Sequence, residues 1–440
     1  MDKAIKKFNQ KNSILVISSY PDKKKGIKDL NAVAWYSQKI IKKMAQNQSQ
    51  KFVVLAEKTK KSSKFEFSQE KNVLLIRCWK NNSPLLFKDV FYWLKKFYQI
   101  ETINIQFEFS MFGGLMTTIL LPFFLIVIKV LRKKIVFTLH HVVADINTLS
   151  GHLNLKPNSL ATKFFNHSLF FFYKLIGIFS HKIIVLDNEL KKRLKKIIPQ
   201  EKIAVVPIGV EEKTKTIGKR EARKKLGLPQ KDFILLSFGF VAWYKGTDWL
   251  VKQKFDKKTK LIIAGGESPT LKNKPHYRQF YNKVFQSAKK KDNVIVTGFL
   301  PENKIPLYFA ASDLVLFPYR TKISSSGPLA WTLSYKKPFF LSTALSGYFL
   351  SEDFRESLNK AGIKKEMLLF SLKKDNSLKN KISHLNKTHL FELKKFSASL
   401  AQMQDDNQMS LRYHQELKEV FEKTTSNLKS RASVTQPAYV

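Results

Sequence analysis

Cysteine is nearly missing from this chain: Cys78 stands alone among 440 residues. A single thiol excludes a disulfide framework and a cysteine-built metal cluster, and it suits a reducing compartment. Arginine is also scarce, at ten residues, so lysine supplies nearly all of the 78 basic side chains. Only 34 carboxylates oppose them, which leaves a formal net charge of +44. The other marks of a nucleic-acid binder are missing: no zinc-finger spacing, no RNA-recognition signature and no arginine-rich arm interleaved with aromatics. Two readings of the lysines stay open. They form solvated faces with no task, or they draw the protein to an anionic membrane, where each contributes about 1 kcal/mol before salt screening.

Long apolar runs are few as well. The longest, 111–128, is interrupted by Gly113, Gly114 and Pro122, and crossing a bilayer takes about 20 apolar residues. It fits a buried helix of a sheet domain. It also fits a helix over 115–128, followed by Lys129, Arg132, Lys133 and Lys134, that dips into a membrane interface. Residues 169–179 hold a second apolar cluster with more aromatics than one helix face needs. The first twelve residues are charged and polar, without the apolar core of a signal peptide. The expected location is cytoplasmic, with the inner face of the membrane as the place where these segments would act. No Asp-x-Asp pair sits in a suitable loop, so neither a catalytic metal nor a cofactor is expected.

What is present is ample for two cores, with 44% hydrophobic and 13% aromatic residues. Strand-like runs fall at 13–17, 52–55, 73–76, 103–106, 135–138 and 182–186, with helical stretches between several of them. Such alternation argues for a parallel sheet covered by helices. The expected divisions are a first domain over 12–200, a linker over 201–219 and a second domain over 220–385. C-terminal helices over 386–423 pack back on the first domain, and 424–440 is a disordered tail.

The second half carries the chemistry. A strand over 234–238 ends in Gly239, and a short loop then brings Lys245-Gly246 to a helix capped near Thr247 or Asp248. Two more apolar runs end in glycine, at Gly265-Gly266 and at Gly298. A fourth, 313–318, leads into Ser324-Ser-Ser-Gly-Pro328 and a helix. Ligands in open parallel sheets sit outside the carboxyl ends of the strands. Ser325, Ser326 and Gly327 are small enough to admit a phosphate to backbone amides at the positive end of that helix, and Pro328 suits its first turn. Lys245 offers a point charge. The plainer alternatives are a helix cap for the serines and a surface role for the lysine.

This order of elements resembles the retaining glycosyltransferases of family 4, which have the GT-B architecture. That is an α/β fold of two Rossmann-like parallel-sheet domains facing a cleft, with the last helix returning to the first domain. The matching landmarks in the second half are Phe238-Gly-Phe with Lys245-Gly246, Gly265-Gly266, Gly298-Phe-Leu, and Ser326-Gly-Pro with Lys337-Pro338. In the first half they are Ile14-Leu-Val-Ile with Gly26, Gln106-Phe-Glu-Phe, and Thr138-Leu-His-His141. The resemblance runs over 12–425. It implies a donor site for a nucleoside-diphosphate sugar built from Lys245, Gly239, Gly265, Gly266, Ser325, Ser326, Gly327, Pro328 and Gly26. It implies that His140 contacts the donor sugar, with His141 as runner-up. Glu108 either orients acceptor hydroxyls or caps the Gly113-Gly114 turn.

Three departures from the pattern bear on function. The family's paired glutamates, eight positions apart, are Ile323 and Trp331 here. Ala242 or Trp243 stands near a usual arginine, and Phe107 replaces a histidine. The implied activity is a retaining transfer of a hexose, mannose from GDP-mannose being favoured, to a glycan or lipid-linked acceptor in surface polysaccharide synthesis. The alternatives are a catalytically silent GT-B binding or assembly protein, and a sugar phosphorylase or epimerase on the same fold. Expected partners are a nucleotide sugar, that acceptor and an anionic membrane, and not nucleic acid.

Overall fold

The computed structural model describes residues 2–21, 32–47, 50–58, 65–213 and 217–432. The first domain carries β1 (Ile14–Ile17), β2 (Phe52–Glu57), β3 (Glu66–Glu70), β4 (Val73–Trp79), β5 (Thr102–Phe107), β6 (Lys134–Leu139), β7 (Lys182–Val185) and β8 (Ile203–Val205). They form one sheet in the order β3-β4-β2-β1-β5-β6-β7-β8. β1, β5 and β6 are buried along their whole length. Strands covered by helices on both faces need continuous apolar runs rather than alternation, which is why they stand out in the sequence. β3 is the exception: it runs antiparallel to β4, is polar and mostly exposed, and closes the sheet edge to further pairing.

The second domain carries β9 (Phe233–Phe238), β10 (Thr259–Ala264), β11 (Val294–Val296), β12 (Leu314–Phe317), β13 (Phe339–Ser342) and β14 (Leu369–Phe370). All pair in parallel, in the order β11-β10-β9-β12-β13-β14. The order reverses between β9 and β12. Loops leaving those two strands therefore turn to opposite sides and open a crevice between them. The same reversal lies between β1 and β5 in the first sheet, and residues after all four strands line one cleft.

Three boundaries differ from the sequence expectation. β8 lies inside the stretch 201–219 assigned to a linker, because Ile203 and Ala204 pair with Ile183 and Ile184 of β7. The helix Lys387–Met403 stays with the second domain, since Leu393, Phe396 and Leu400 are buried in that domain's core. Only the helix Asp406–Ala432 crosses back, placing Met409, Tyr413 and Leu417 among first-domain residues. It runs through 424–432, where a disordered tail is expected; 433–440 lie outside the described residues. The two crossings between domains run side by side, with Val210 N–H donating to the Gln404 carbonyl at 2.7 Å and Asp406 N–H to the Val210 carbonyl at 3.1 Å.

Candidate active site

The cleft has a volume of about 2300 Å³ and takes its walls from both domains. Its floor on the second domain is set by Gly239, directly after β9, with φ of +108°. Residues with a side chain rarely adopt that conformation. A Cβ there would also lie 2.8 Å from Lys245 Nζ and 2.9 Å from Pro328 Cγ. Gly239 thus lets the lysine and the start of the helix Gly327–Ser334 meet over the end of β9. Gly265 stands beneath it, where a Cβ would run into the Gly239 carbonyl oxygen. Gly266 is confined in the same way by the Phe299 backbone.

Lys245 sits half-buried, with the rings of Tyr244 and Tyr319 each 5.9 Å from its ammonium. No carboxylate pairs with it among the described residues. Loss of hydration alone pushes its pKa down from 10.5 to about 8. Its loop is held by Arg320, whose guanidinium grips the Asp248 carboxylate at 2.6 and 2.8 Å and donates to the Trp243 carbonyl at 2.7 Å. The same guanidinium stacks on the Trp243 ring at 5.0 Å. A two-bond fork of this kind fixes direction as well as distance.

The serine loop is partly committed elsewhere. Ser325 donates its hydroxyl to Asp187 Oδ2 at 2.6 Å and to the Leu186 carbonyl at 3.0 Å, both in the first domain. Ser326 caps the helix, its Oγ accepting from Leu329 N–H at 3.2 Å, and its own N–H donates to the Tyr348 hydroxyl. The cap alternative therefore describes its side chain. The Gly327 N–H has no acceptor among the described residues, and nothing lies within 4 Å of where a Gly327 Cβ would stand. Of the groups expected to meet a phosphate, the Ser325 and Ser326 hydroxyls are engaged within the protein, and the Gly327 amide with the open space beside it is what this part of the loop offers.

From the first domain, His140 and Glu108 both reach the cleft. His140 follows β6 and is buried, with Nε2 2.8 Å from Gln106 Oε1 and its ring edge-on to Tyr36 at 4.8 Å. Burial, helped by neighbouring His141, pushes its pKa to about 3, so it is neutral at working pH. Gln106 belongs to a buried network with Asn104, Thr138 and Tyr413, so the returning C-terminal helix fixes the histidine through Gln106. His141 is the more open of the pair and lies 3.5 Å from Glu108 Oε2, while Glu108 Oε1 accepts from the Ser110 hydroxyl at 2.6 Å. Glu108 thus holds His141 and the turn beginning at Ser110 rather than the Gly113-Gly114 backbone. Gly26 lies outside the described residues.

The departures have visible consequences. Ile323 packs with Val143, Ile146 and Leu149 of the first domain. Trp331 lines the cleft, stacked on Tyr335, with the Lys213 ammonium 5.6 Å from its ring. Phe107 is buried among Phe109, Phe137 and Phe172 and is not part of the cleft wall.

Sequence reading missed the junction across the cleft. Lys322, wholly buried, lies 3.1 Å from Asp187 Oδ2, 3.5 Å from Glu189 Oε2 and 3.4 Å from the centre of the Tyr348 ring. Arg193 pairs with Glu189 and donates to the carbonyls of Val142 and Lys322. His141 and Ser324 form a β-bridge beside them. The scarcity of arginine was the available signal for Arg320 and Arg193; no local pattern marks Lys322 among so many lysines.

Residues 218–330 match the family model for glycosyl transferases group 1. No curated protein matches the chain. The sucrose-phosphate synthase of Thermosynechococcus elongatus is similar in structure, with a TM-score of 0.69 at 14% identity over 94% of this chain and 100% of that one. Anabaena HepE, solved with UDP, gives 0.61 at 15% identity over 92% and 100%. The UDP-forming trehalose-phosphate synthase of Burkholderia vietnamiensis gives 0.62 at 10% identity over 93% and 99%. The chain has the GT-B fold, and within it the stretch from 218 to 330 of the second domain is similar to the group 1 glycosyl transferases.

Proposed function

We propose that this protein is a retaining hexosyltransferase that passes a sugar from a nucleoside diphosphate to a glycan or glycolipid in surface polysaccharide assembly. The observation that supports this most is the convergence, at the point where the strand order reverses, of Gly239, a Lys245 with no carboxylate partner among the described residues and a Gly327 amide with no acceptor among them. A diphosphate leaving group gains charge as the glycosidic bond breaks, and a preorganised cation and amide answer that charge without reorganising. The group 1 match covers this same region. His140, neutral and held by Gln106, is suited to a sugar hydroxyl, and the His141–Glu108 pair to the acceptor side. No side chain is assigned as nucleophile; the donor phosphate takes the acceptor proton on the face it leaves.

GDP-mannose is the first donor proposed, from the family branch that the sequence resembles. UDP-glucose is the second, because HepE of the same fold was solved with it. The acceptor is met at the inner face of an anionic membrane. Calorimetric titration with GDP, UDP and ADP, then with the matching nucleotide sugars, beside Lys245→Ala, tests the reading. Binding of one diphosphate that the variant loses supports it. If none binds to folded protein, the silent-partner reading replaces it, a reading that Ile323 and Trp331 favour by filling both glutamate positions with apolar groups.

A further inference from the structure

The helix Leu115–Val130 is apolar on every side, yet only one side is buried. Leu121, Leu125 and Ile128 enter the first-domain core, while Met116, Ile119, Phe123, Val127 and Val130 form a stripe open to solvent. Phe123 is 62% exposed and Val130 76%. The helix Leu160–Phe179 packs beside it and repeats the pattern, with Leu160, Phe164, Phe171 and Ile178 outward; Phe164 is 68% exposed and Phe171 59%. A surface helix ordinarily turns polar residues outward, so an apolar outer face on two adjoining helices marks a surface that is covered in use.

Charge identifies the cover. Neither helix contains a carboxylate, and their outward charges are Lys129, Lys163 and Lys174, with Arg132 just beyond. The neighbouring helix Leu86–Lys96 adds Lys88, Lys95 and Lys96 against the one carboxylate Asp89. A second copy of the chain would bring the same cations to a two-fold contact and be repelled. Sixteen residues in the first helix give a length of about 24 Å, short of the ~30 Å hydrocarbon core, and no described helix is long and apolar enough to cross a membrane. Apolar stripes that cannot span, ringed by cations, fit a helix pair lying in the plane of a bilayer interface.

We infer that these two helices form a docking face that inserts shallowly into a bilayer of anionic phospholipid. The face continues into the cleft, where Leu115, Ile119, Leu153, Phe165 and Leu169 form part of the wall. Docking therefore sets the first-domain side of the cleft at the lipid surface, where a lipid-tailed acceptor can enter without leaving the membrane. That last step rests on the proposed transferase reading; the docking does not.

The test is flotation of the full chain with vesicles of phosphatidylcholine, alone and mixed with phosphatidylglycerol. Binding to the mixed vesicles is expected, weakening with salt. Phe123→Ser/Phe171→Ser should lower the partition coefficient about tenfold or more for each ring removed, with melting temperature and nucleotide binding unchanged. Phe391→Ser, an exposed ring on the second domain, should leave partitioning intact. Failure of the parent to bind mixed vesicles overturns the inference. So does equal binding by the double variant, which would mean adsorption by lysines elsewhere, or a solution dimer that the double variant dissolves. Vesicle binding without nucleotide binding would remove the transferase reading and leave the docking face standing.

Discussion

Replacing Lys245 by methionine should make the unliganded protein more stable and the liganded one weaker. Burial lowers the ammonium from 10.5 to about 8, and each pH unit corresponds to about 1.4 kcal/mol. The full displacement is thus a folding cost of about 3 kcal/mol. The side chain is only partly covered by area and opens on the cleft, so solvent screening reduces this to about 1–2 kcal/mol. Methionine keeps the length and apolar contacts and removes the charge. A domain of this size should melt about 2–8 °C higher. The sign has a pH signature. The unfolded chain keeps the lysine proton between about 8 and 10.5 after the folded protein has lost it, so the parent gains stability over that window and its deficit against the variant closes. Diphosphate binding should move the other way: losing a charge-assisted contact of about 1.5–3 kcal/mol weakens it about 10- to 150-fold. Thermal melts across pH, with and without the nucleotide found to bind, measure both. A variant that is destabilised while binding normally would falsify the assignment of Lys245 to the phosphate, because it would make the lysine a structural group.

Arg320→Ala removes a bidentate pair with Asp248 and a bond to Trp243, and urea titration should show a loss of about 1–3 kcal/mol. Arg320→Lys should not restore it, since an ammonium cannot reproduce the fork. Gly265→Ala drives a methyl into the Gly239 carbonyl and should cost about 2 kcal/mol or more together with nucleotide affinity, whereas Gly327→Ala, with open space around it, should fold normally. His140 is held neutral down to about pH 3 against an ordinary 6.5. The unfolded chain takes up its proton first, so the parent loses stability as pH falls from 6.5 toward 3, and His140→Gln should show a shallower loss in urea melts over that range. Asp187→Asn weakens the pairing with Lys322 and Ser325, and small-angle scattering should report a larger radius of gyration as the domains part.

Most strands were legible because both sheets are buried on both faces, and burial on both faces leaves unbroken runs such as Ile14–Ile17 and Leu314–Phe317. β3 was not, since a solvated edge strand has no apolar pattern to show. β14 is two residues long and gives no periodicity. The helix Lys387–Met403 carries an apolar stripe that reads correctly as a helix but does not say which core it enters. In the cleft, the meeting of Gly239, Gly265 and Lys245 at the strand ends could be anticipated from the loops there, because the end of a parallel strand is where ligands gather. The hydroxyls of Ser325 and Ser326 could not be read correctly from spacing: one turns to Asp187 across the cleft and the other closes a helix end.

The sequence by itself determined the two sheets, their parallel character and the glycines and lysine at the switch point, since each follows from local runs and turn chemistry. It also set the charge and the missing carboxylates at Ile323 and Trp331. Tertiary structure alone decided what required distant segments to meet. Those meetings are the Lys322 junction with Asp187 and Glu189, the placing of His140 by Gln106 and Tyr413, and the choice of which side of Leu115–Val130 faces out. An all-apolar helix looks the same from every direction in sequence, and only the sheet packed against one side leaves the other exposed.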